Sequence, residues 1–200
     1  MRLSDSLAQQ VDSSQADSSQ PDSSQPDALQ IDDKPSPLHV VGDRDAPLAH
    51  VVLYQPQIPQ NTGNIGRTCV ATASKLWIVQ PAAFQIDEKR VRRAGLDYWQ
   101  HLNWENVASW DAFKEQLPEK SPGRRYWYFS RFAERSIWDC DFQPGEVFVF
   151  GSETTGLPRT IFSPGNPNAI RLPTTAEVRS LNLSSTVAIV LYEMLRRKGV

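Results

Sequence analysis

Cysteine is scarce in this chain of 200 residues: only Cys69 and Cys140 occur, with no CxxC pair and no histidine placed to join them. Two lone thiols cannot build a disulfide framework. With no apolar signal segment in view, they predict a reducing, cytoplasmic setting in which both are packing residues. Histidine is equally sparse, and His39, His50 and His101 are too scattered for metal-ligand spacing, so no metal is expected. Long apolar runs are missing as well. Nothing approaches the roughly 20 residues of a membrane-spanning helix, which excludes that class. Walker and GxGxxG loops are absent too, because Gly63 and Gly66 fit neither spacing.

Large apolar residues are almost wanting from the first 49 positions, where Asp-Ser-Ser-Gln recurs at residues 12–15, 17–20 and 22–25. Such a segment buries too little surface to offset its ordering entropy. Residues 1–49 are therefore expected to be a disordered, low-complexity acidic tail and residues 50–200 the folded domain. The tail carries three basic residues (Arg2, Lys34, Arg44) and nine Asp, net -6. Subtracting these from the chain's 21 basic and 23 acidic residues leaves 18 and 14 in the body, net +4. A mildly basic body is compatible with a polyanionic partner without demanding one.

What is present is an alternation of apolar strands with helices or ligand-sized loops, the pattern of a parallel α/β sheet. Residues 50–54 (His-Val-Val-Leu-Tyr), 75–79 (Lys-Leu-Trp-Ile-Val), 125–130 (Arg-Tyr-Trp-Tyr-Phe-Ser) and 146–150 (Glu-Val-Phe-Val-Phe) read as strands, with a short one at Ile170 to Leu172. A helix is predicted from Pro59, with Asn61, Asn64 and Arg67 along its polar side, and a peripheral one over 108–117. Another is expected after Pro158. The last starts near Asn182 and carries two apolar stripes, one through Leu183, Val187, Val190, Leu191 and Met194, the other through Ala188, Tyr192 and Leu195. One stripe suits its own sheet and the other a second copy of the chain.

Three loops carry candidate chemistry. Gly151-Ser-Glu-Thr-Thr-Gly156 after a strand predicts a tight turn whose backbone approaches a ligand, with Glu153 either a catalytic acid or base or a cap for the helix after Pro158. The loop from Pro173 to Leu181 is small, polar and charged, so its backbone groups are free for a ligand. Lys89, Arg90, Arg92 and Arg93 are followed by Tyr98 and Trp99, a basic and aromatic mixture suited to RNA phosphates and unstacked bases, although a solvated charged turn has the same composition.

Taken together and in order, Asn61-Thr-Gly-Asn-Ile-Gly-Arg67, Phe150-Gly-Ser-Glu-Thr-Thr-Gly-Leu-Pro158, and Ile170-Arg-Leu-Pro followed by Arg179-Ser-Leu-Asn-Leu-Ser184 resemble the SPOUT superfamily of S-adenosylmethionine-dependent RNA methyltransferases. Lys89-Arg-Val-Arg-Arg-Ala-Gly-Leu-Asp-Tyr98 is similar to its TrmL (YibK) branch, which methylates the ribose 2′-oxygen at the wobble nucleotide of tRNA, position 34, on cytidine or a modified uridine. The resemblance covers nearly all of residues 50–200. It implies a parallel sheet flanked by helices with a C-terminal deep trefoil knot, which the general rarity of knots would argue against. It also implies S-adenosyl-L-methionine held by Phe129, Gly151, Leu172, Ser180 and Leu181, with Phe129 standing where the branch usually has an aliphatic residue. Arg67, Asn61, Glu153, Arg179 and Asn182 become the catalytic group. Within it Arg67 orients the ribose, Glu153 holds Arg67 or the loop, and Ser180 and Asn182 shape the cofactor loop. Lys89, Arg90, Arg92 and Arg93 become tRNA contacts. A homodimer through the last helix around Tyr192 is implied as well, and no metal or membrane. The competing readings are a 2′-O-methyltransferase of ribosomal RNA and a non-catalytic RNA-binding protein on the same fold.

Overall fold

The computed structural model describes residues 43–84, 97–118, 124–163 and 165–199. Most of the expected tail, and all of Lys89, Arg90, Arg92 and Arg93, lie outside them. The described body is built on seven strands: β1 (Ala49–Tyr54), β2 (Lys75–Val79), β3 (Trp104–Val107), β4 (Tyr126–Phe129), β5 (Arg135–Ser136), β6 (Glu146–Phe150) and β7 (Ala169–Arg171). They form one sheet in the order β3-β2-β1-β6-β4-β7-β5, and every pairing is parallel. Central strands buried on both faces need continuous apolar runs, which is what β1 and β6 supply.

Among the described residues three α-helices complete it: α1 (Pro59–Ala71), α2 (Trp110–Gln116) and α3 (Leu183–Lys198). Proline suits the first turn of α1, where its missing N–H costs nothing. The side-chain oxygen of Ser109 caps α2 by accepting from Ala112 N. Asn182 Oδ1 caps α3, accepting from Ser184 N at 2.9 Å and Ser185 N at 3.4 Å. Gly199, at φ 82°, ends that helix in the left-handed conformation that glycine adopts without a Cβ penalty.

Alternation along the strands divides the core between the two sheet faces. Val51 and Leu53 join Ile65 of α1 and Val187, Val190 and Leu191 of α3 on one side, while Val52, Trp77, Phe113, Val147 and Val149 pack on the other. Cys69 and Cys140 are buried thiols, and burial pushes both above the ordinary cysteine range, so they are poor nucleophiles. On α3, Leu195 faces this core at 5% exposure, which corrects its assignment to an outward stripe; Tyr192 (55%) and Ile189 (37%) are what the helix leaves uncovered.

Other departures from the sequence reading have local causes. Among the described residues no helix starts directly after Pro158; Ile161 N and Phe162 N close a turn onto the Pro158 carbonyl instead. Strands β3 and β5 were not anticipated, since Trp-Glu-Asn-Val and Arg-Ser lack an apolar run and owe their pairing to the sheet edges they complete. Trp99 is a core residue rather than a base-stacking platform. It is 7% exposed and packs edge-to-face on Trp104, beneath Gly66, where a Cβ would come within 2.9 Å of its ring.

His50, the second residue of the central strand β1, gives the fold a pH dependence. Its Nδ1 accepts the Trp77 indole N–H at 3.1 Å, and burial first, then Arg124 and Lys75, lower its pKa to about 4. The folded pKa lies below the unfolded one, so this contribution is complete above about pH 6.5 and is lost as pH falls from there to about 4, to a total of about 3 kcal/mol. Urea midpoints at pH 7 and 4.5 should therefore differ more for the parent than for His50→Gln, which does not titrate; equal differences would rule His50 out.

Candidate active site

Because β6, β4 and β7 are parallel neighbours, their C-terminal ends open on one edge of the sheet. This brings Phe129, Gly151 and Leu172 to the same place, as open α/β sheets do for their ligands. Phe129 stacks on Phe150 with centroids 4.4 Å apart and an interplanar angle of 17°, making an aromatic wall. Leu172 is partly buried against the same core. Gly151 is a cradle: a Cβ there would lie 2.0 Å from the Gly156 carbonyl carbon and 2.2 Å from Leu157 N. The turn folds back on it through a bridge between Ser152 and Gly156, with Gly156 N donating to Ser152 O at 2.9 Å. Ser180 and Leu181 are exposed in the loop that leads into α3, and Arg179 is exposed beside them.

Glu153 is the centre of the polar site. Its carboxylate accepts from Gln57 N at 2.8 Å, Ile58 N at 3.2 Å and the Asn61 side-chain amide at 3.0 Å. Asn182 Nδ2 in turn donates to Asn61 Oδ1 at 3.0 Å. One hydrogen-bonded chain thus ties the turn after β6, the start of α1 and the cap of α3. The helix Glu153 caps is α1, not one after Pro158. No side chain caps α1 from its own sequence and its first turn holds no acid, so the carboxylate from the distant turn meets its unpaired amides and positive end. With three donors on it, Glu153 is engaged in holding the loop. Glu153→Gln keeps the shape but loses the charge and acceptor sites, and should lower stability by about 1–3 kcal/mol in urea unfolding; an unchanged midpoint would show the loop is held by something else.

Arg67 lies about 9 Å along α1 from Asn61, at 1.5 Å per residue. It is held otherwise than expected. Its guanidinium lies over the Tyr98 ring, 4.6 Å from the centroid, and Tyr98 Oη donates to Gly63 O at 2.8 Å. Burial raises the Tyr98 pKa and Arg67 opposes that, so the hydroxyl stays neutral as a donor. The side chain that positions Arg67 is therefore Tyr98, anchored to the same helix. Sequence reading placed Tyr98 among RNA-stacking aromatics; only its lying beside a basic segment marked it as functional. Among the described residues no group of three or more His, Cys, Asp or Glu gathers where a metal could bind. The site thus combines an apolar, backbone-lined cradle with a pre-positioned, exposed guanidinium.

The chain matches the model of the SpoU rRNA Methylase family over residues 49–192. A tRNA (cytidine(34)-2'-O)-methyltransferase of Burkholderia ambifaria is 41% identical over 152 residues, covering 75% of this chain and 96% of the relative. A solved structure described as giving insights into the 2-OH methylation of C/U34 on tRNA superposes with a TM-score of 0.68 at 38% identity, covering 76% of this chain and 96% of that one. The fold is shared more distantly, at 23% identity and a TM-score of 0.63, with the SpoU methyltransferase AviRb of Streptomyces viridochromogenes, crystallised in complex with the cofactor AdoMet; the match covers 76% of this chain and 61% of AviRb.

Proposed function

The chain belongs to the SpoU methylase family, and from that membership we propose that it is an S-adenosyl-L-methionine-dependent methyltransferase acting on the ribose 2′-oxygen of the wobble nucleotide of tRNA. The observation that carries this reading is the interlock of Glu153, Asn61 and Asn182 beside the Gly151 cradle, in a chain whose relatives of that activity match over nearly their full length. Phe129, Gly151, Leu172, Ser180 and Leu181 are the residues that would hold S-adenosyl-L-methionine. The stacked Phe129–Phe150 wall and the half-buried backbone of the tight turn at Gly151 fit an adenosyl group held by backbone contacts. Bound there, the cofactor supplies an electrophilic methyl group on a sulfonium.

The protein's part is to bring the 2′-oxygen close and in line, and to manage its proton. Arg67, fixed against Tyr98, orients the ribose and its phosphate and stabilises charge developing on that oxygen. A guanidinium does not act as the base, because it holds its proton throughout the physiological range. The proton leaves to water or to a substrate phosphate. Arg179, exposed in the loop before α3, is a second phosphate contact, and Lys89, Arg90, Arg92 and Arg93 extend the RNA surface.

Two architectural features belong to the same reading. A trefoil knot is supported by the place of β7, hydrogen-bonded between β4 and β5 although residues 130–134 join those two strands directly. A homodimer through α3 is supported by the uncovered Tyr192 and Ile189. The chain works in the cytoplasm, where tRNA is met, and its catalytic body begins before residue 50, because Leu48 is buried in the core and Ala49 opens β1.

Ribosomal RNA is the second reading, favoured by the description of the matching family. Incubating the purified full chain with radiolabelled S-adenosyl-L-methionine and either bulk tRNA or ribosomal RNA, then mapping 2′-O-methyl nucleotides by nuclease digestion and mass spectrometry, decides between them. Label at the tRNA wobble ribose is expected. Label in ribosomal RNA alone moves the assignment, and absence of cofactor binding leaves a non-catalytic RNA-binding protein.

A further inference from the structure

Beside the cofactor edge lies a cavity of about 220 Å³ that the cofactor reading leaves unused, walled by Gln55, Gln57, Ser152, Thr155, Pro81 and Ala82. Its position follows from the topology. From β1 the chain passes through α1 to β2 on one side, while β6 lies against the other side of β1. The crevice between the ends of β1 and β6 is where strand order reverses, the usual ligand position in open α/β sheets. Gln55 and Ser152 stand at those two ends, and Ser152 is bonded in sequence to Gly151 of the cofactor cradle.

The lining specifies a ligand class. Among the described residues no wall side chain carries a charge, which suits a neutral occupant. The volume is below the roughly 300–1,000 Å³ of pockets for drug-sized ligands, which suits a single ring. Pro81 and Ala82 offer apolar contact, and two carboxamides and two hydroxyls offer hydrogen bonds. Gln57 Oε1 already accepts from Thr154 at 2.6 Å, which turns its amide toward donating, and Ser152 and Thr155 share one hydrogen bond at 2.7 Å. Gln55 has no side-chain partner among the described residues. Its backbone is at φ 49°, a left-handed conformation uncommon for a residue other than glycine, held where the chain leaves β1.

On the functional reading above, which this inference rests on, we propose that this cavity seats the pyrimidine base of the nucleotide being methylated, with Gln55 reading its hydrogen-bonding edge. A base seated one residue away from the cofactor cradle leaves its own ribose, and so the 2′-oxygen, at the boundary between the two. A carboxamide can present either its donor or its acceptor, so it accommodates both cytosine and uracil. Purines have a second ring to place.

The test compares tRNAs that differ only in having C or U at the wobble position, with the parent and Gln55→Glu. A carboxylate accepts but cannot donate, so it suits the cytosine amino group and opposes the uracil carbonyls. Gln55→Glu should raise the C-over-U ratio of kcat/KM at least ten-fold, with S-adenosyl-L-methionine affinity and melting temperature kept. Thr155→Val, at an exposed position that folding tolerates, should raise KM for both tRNAs several-fold and leave kcat near the parent value. An unmoved C-over-U ratio with parental KM in Thr155→Val overturns the inference, as does a fall in cofactor affinity in Gln55→Glu, which would give the cavity to the cofactor. A parent that methylates neither tRNA sinks the functional reading itself, a result distinct from an active parent whose ratio does not respond.

Discussion

Arg67→Ala should lower kcat for tRNA methylation by roughly 10²–10³-fold, the usual cost of removing one positioned group that stabilises developing negative charge. Binding of S-adenosyl-L-methionine should remain within about two-fold of the parent. The expectation rests on geometry. Arg67 is exposed on α1, away from the Glu153 network, and its guanidinium is held 4.6 Å from the centroid of a Tyr98 ring whose hydroxyl is itself fixed to Gly63 O. Calorimetric titration with the cofactor and single-turnover methylation separate the two effects. Arg67→Lys keeps the charge but loses the planar fork and its stacking on Tyr98, so it too should lose most of the activity. An Arg67→Lys enzyme with full activity across the pH-rate profile would mean that charge alone suffices and the orienting role is wrong.

Gly151→Ala should abolish measurable cofactor binding and destabilise the fold by about 1–3 kcal/mol or more. The added methyl would meet backbone at 2.0 Å from Gly156 C, 2.2 Å from Leu157 N and 2.5 Å from Gly156 O, where no flexible side chain can yield. The turn would have to open, and with it the placement of Glu153 two residues later, which holds the start of α1. Thermal melting and cofactor titration read the two consequences. A variant with parental melting and parental cofactor affinity would show that the turn is not the cradle described here. Gly156 sits across the same turn at φ 71° with open space at its Cβ position, so its substitution costs backbone strain rather than collision and should be the milder of the two.

Much of the architecture was legible in local patterns, because those patterns are enforced locally. Buried parallel strands must be continuously apolar, and the runs at residues 50–54 and 146–150 could hardly be anything else. Proline at 59, asparagine at 182 and glycine at 199 mark helix ends by their own backbone and side-chain preferences, and all three ends stand where those residues put them. The family resemblance was carried by short motifs in order, and the family match over residues 49–192 spans all of them.

What the sequence could not decide is which distant groups meet. Glu153 could be seen as a cap, but its helix begins at Pro59, far earlier in the chain, and only parallel pairing of β1 with β6 brings the two ends together. Tyr98 and Trp99 look alike beside a basic run, yet one anchors Arg67 and the other fills the space over Gly66, a division made by which ring each helix and loop turns inward. Leu195 and Tyr192, three residues apart on α3, end on opposite sides of the line between core and surface. Local preference therefore determined the strands, helix ends and motif order of this protein. The tertiary structure decided the long-range partnerships in the site, because a hydrogen bond or ring contact between remote segments depends on sheet order, which no single stretch encodes.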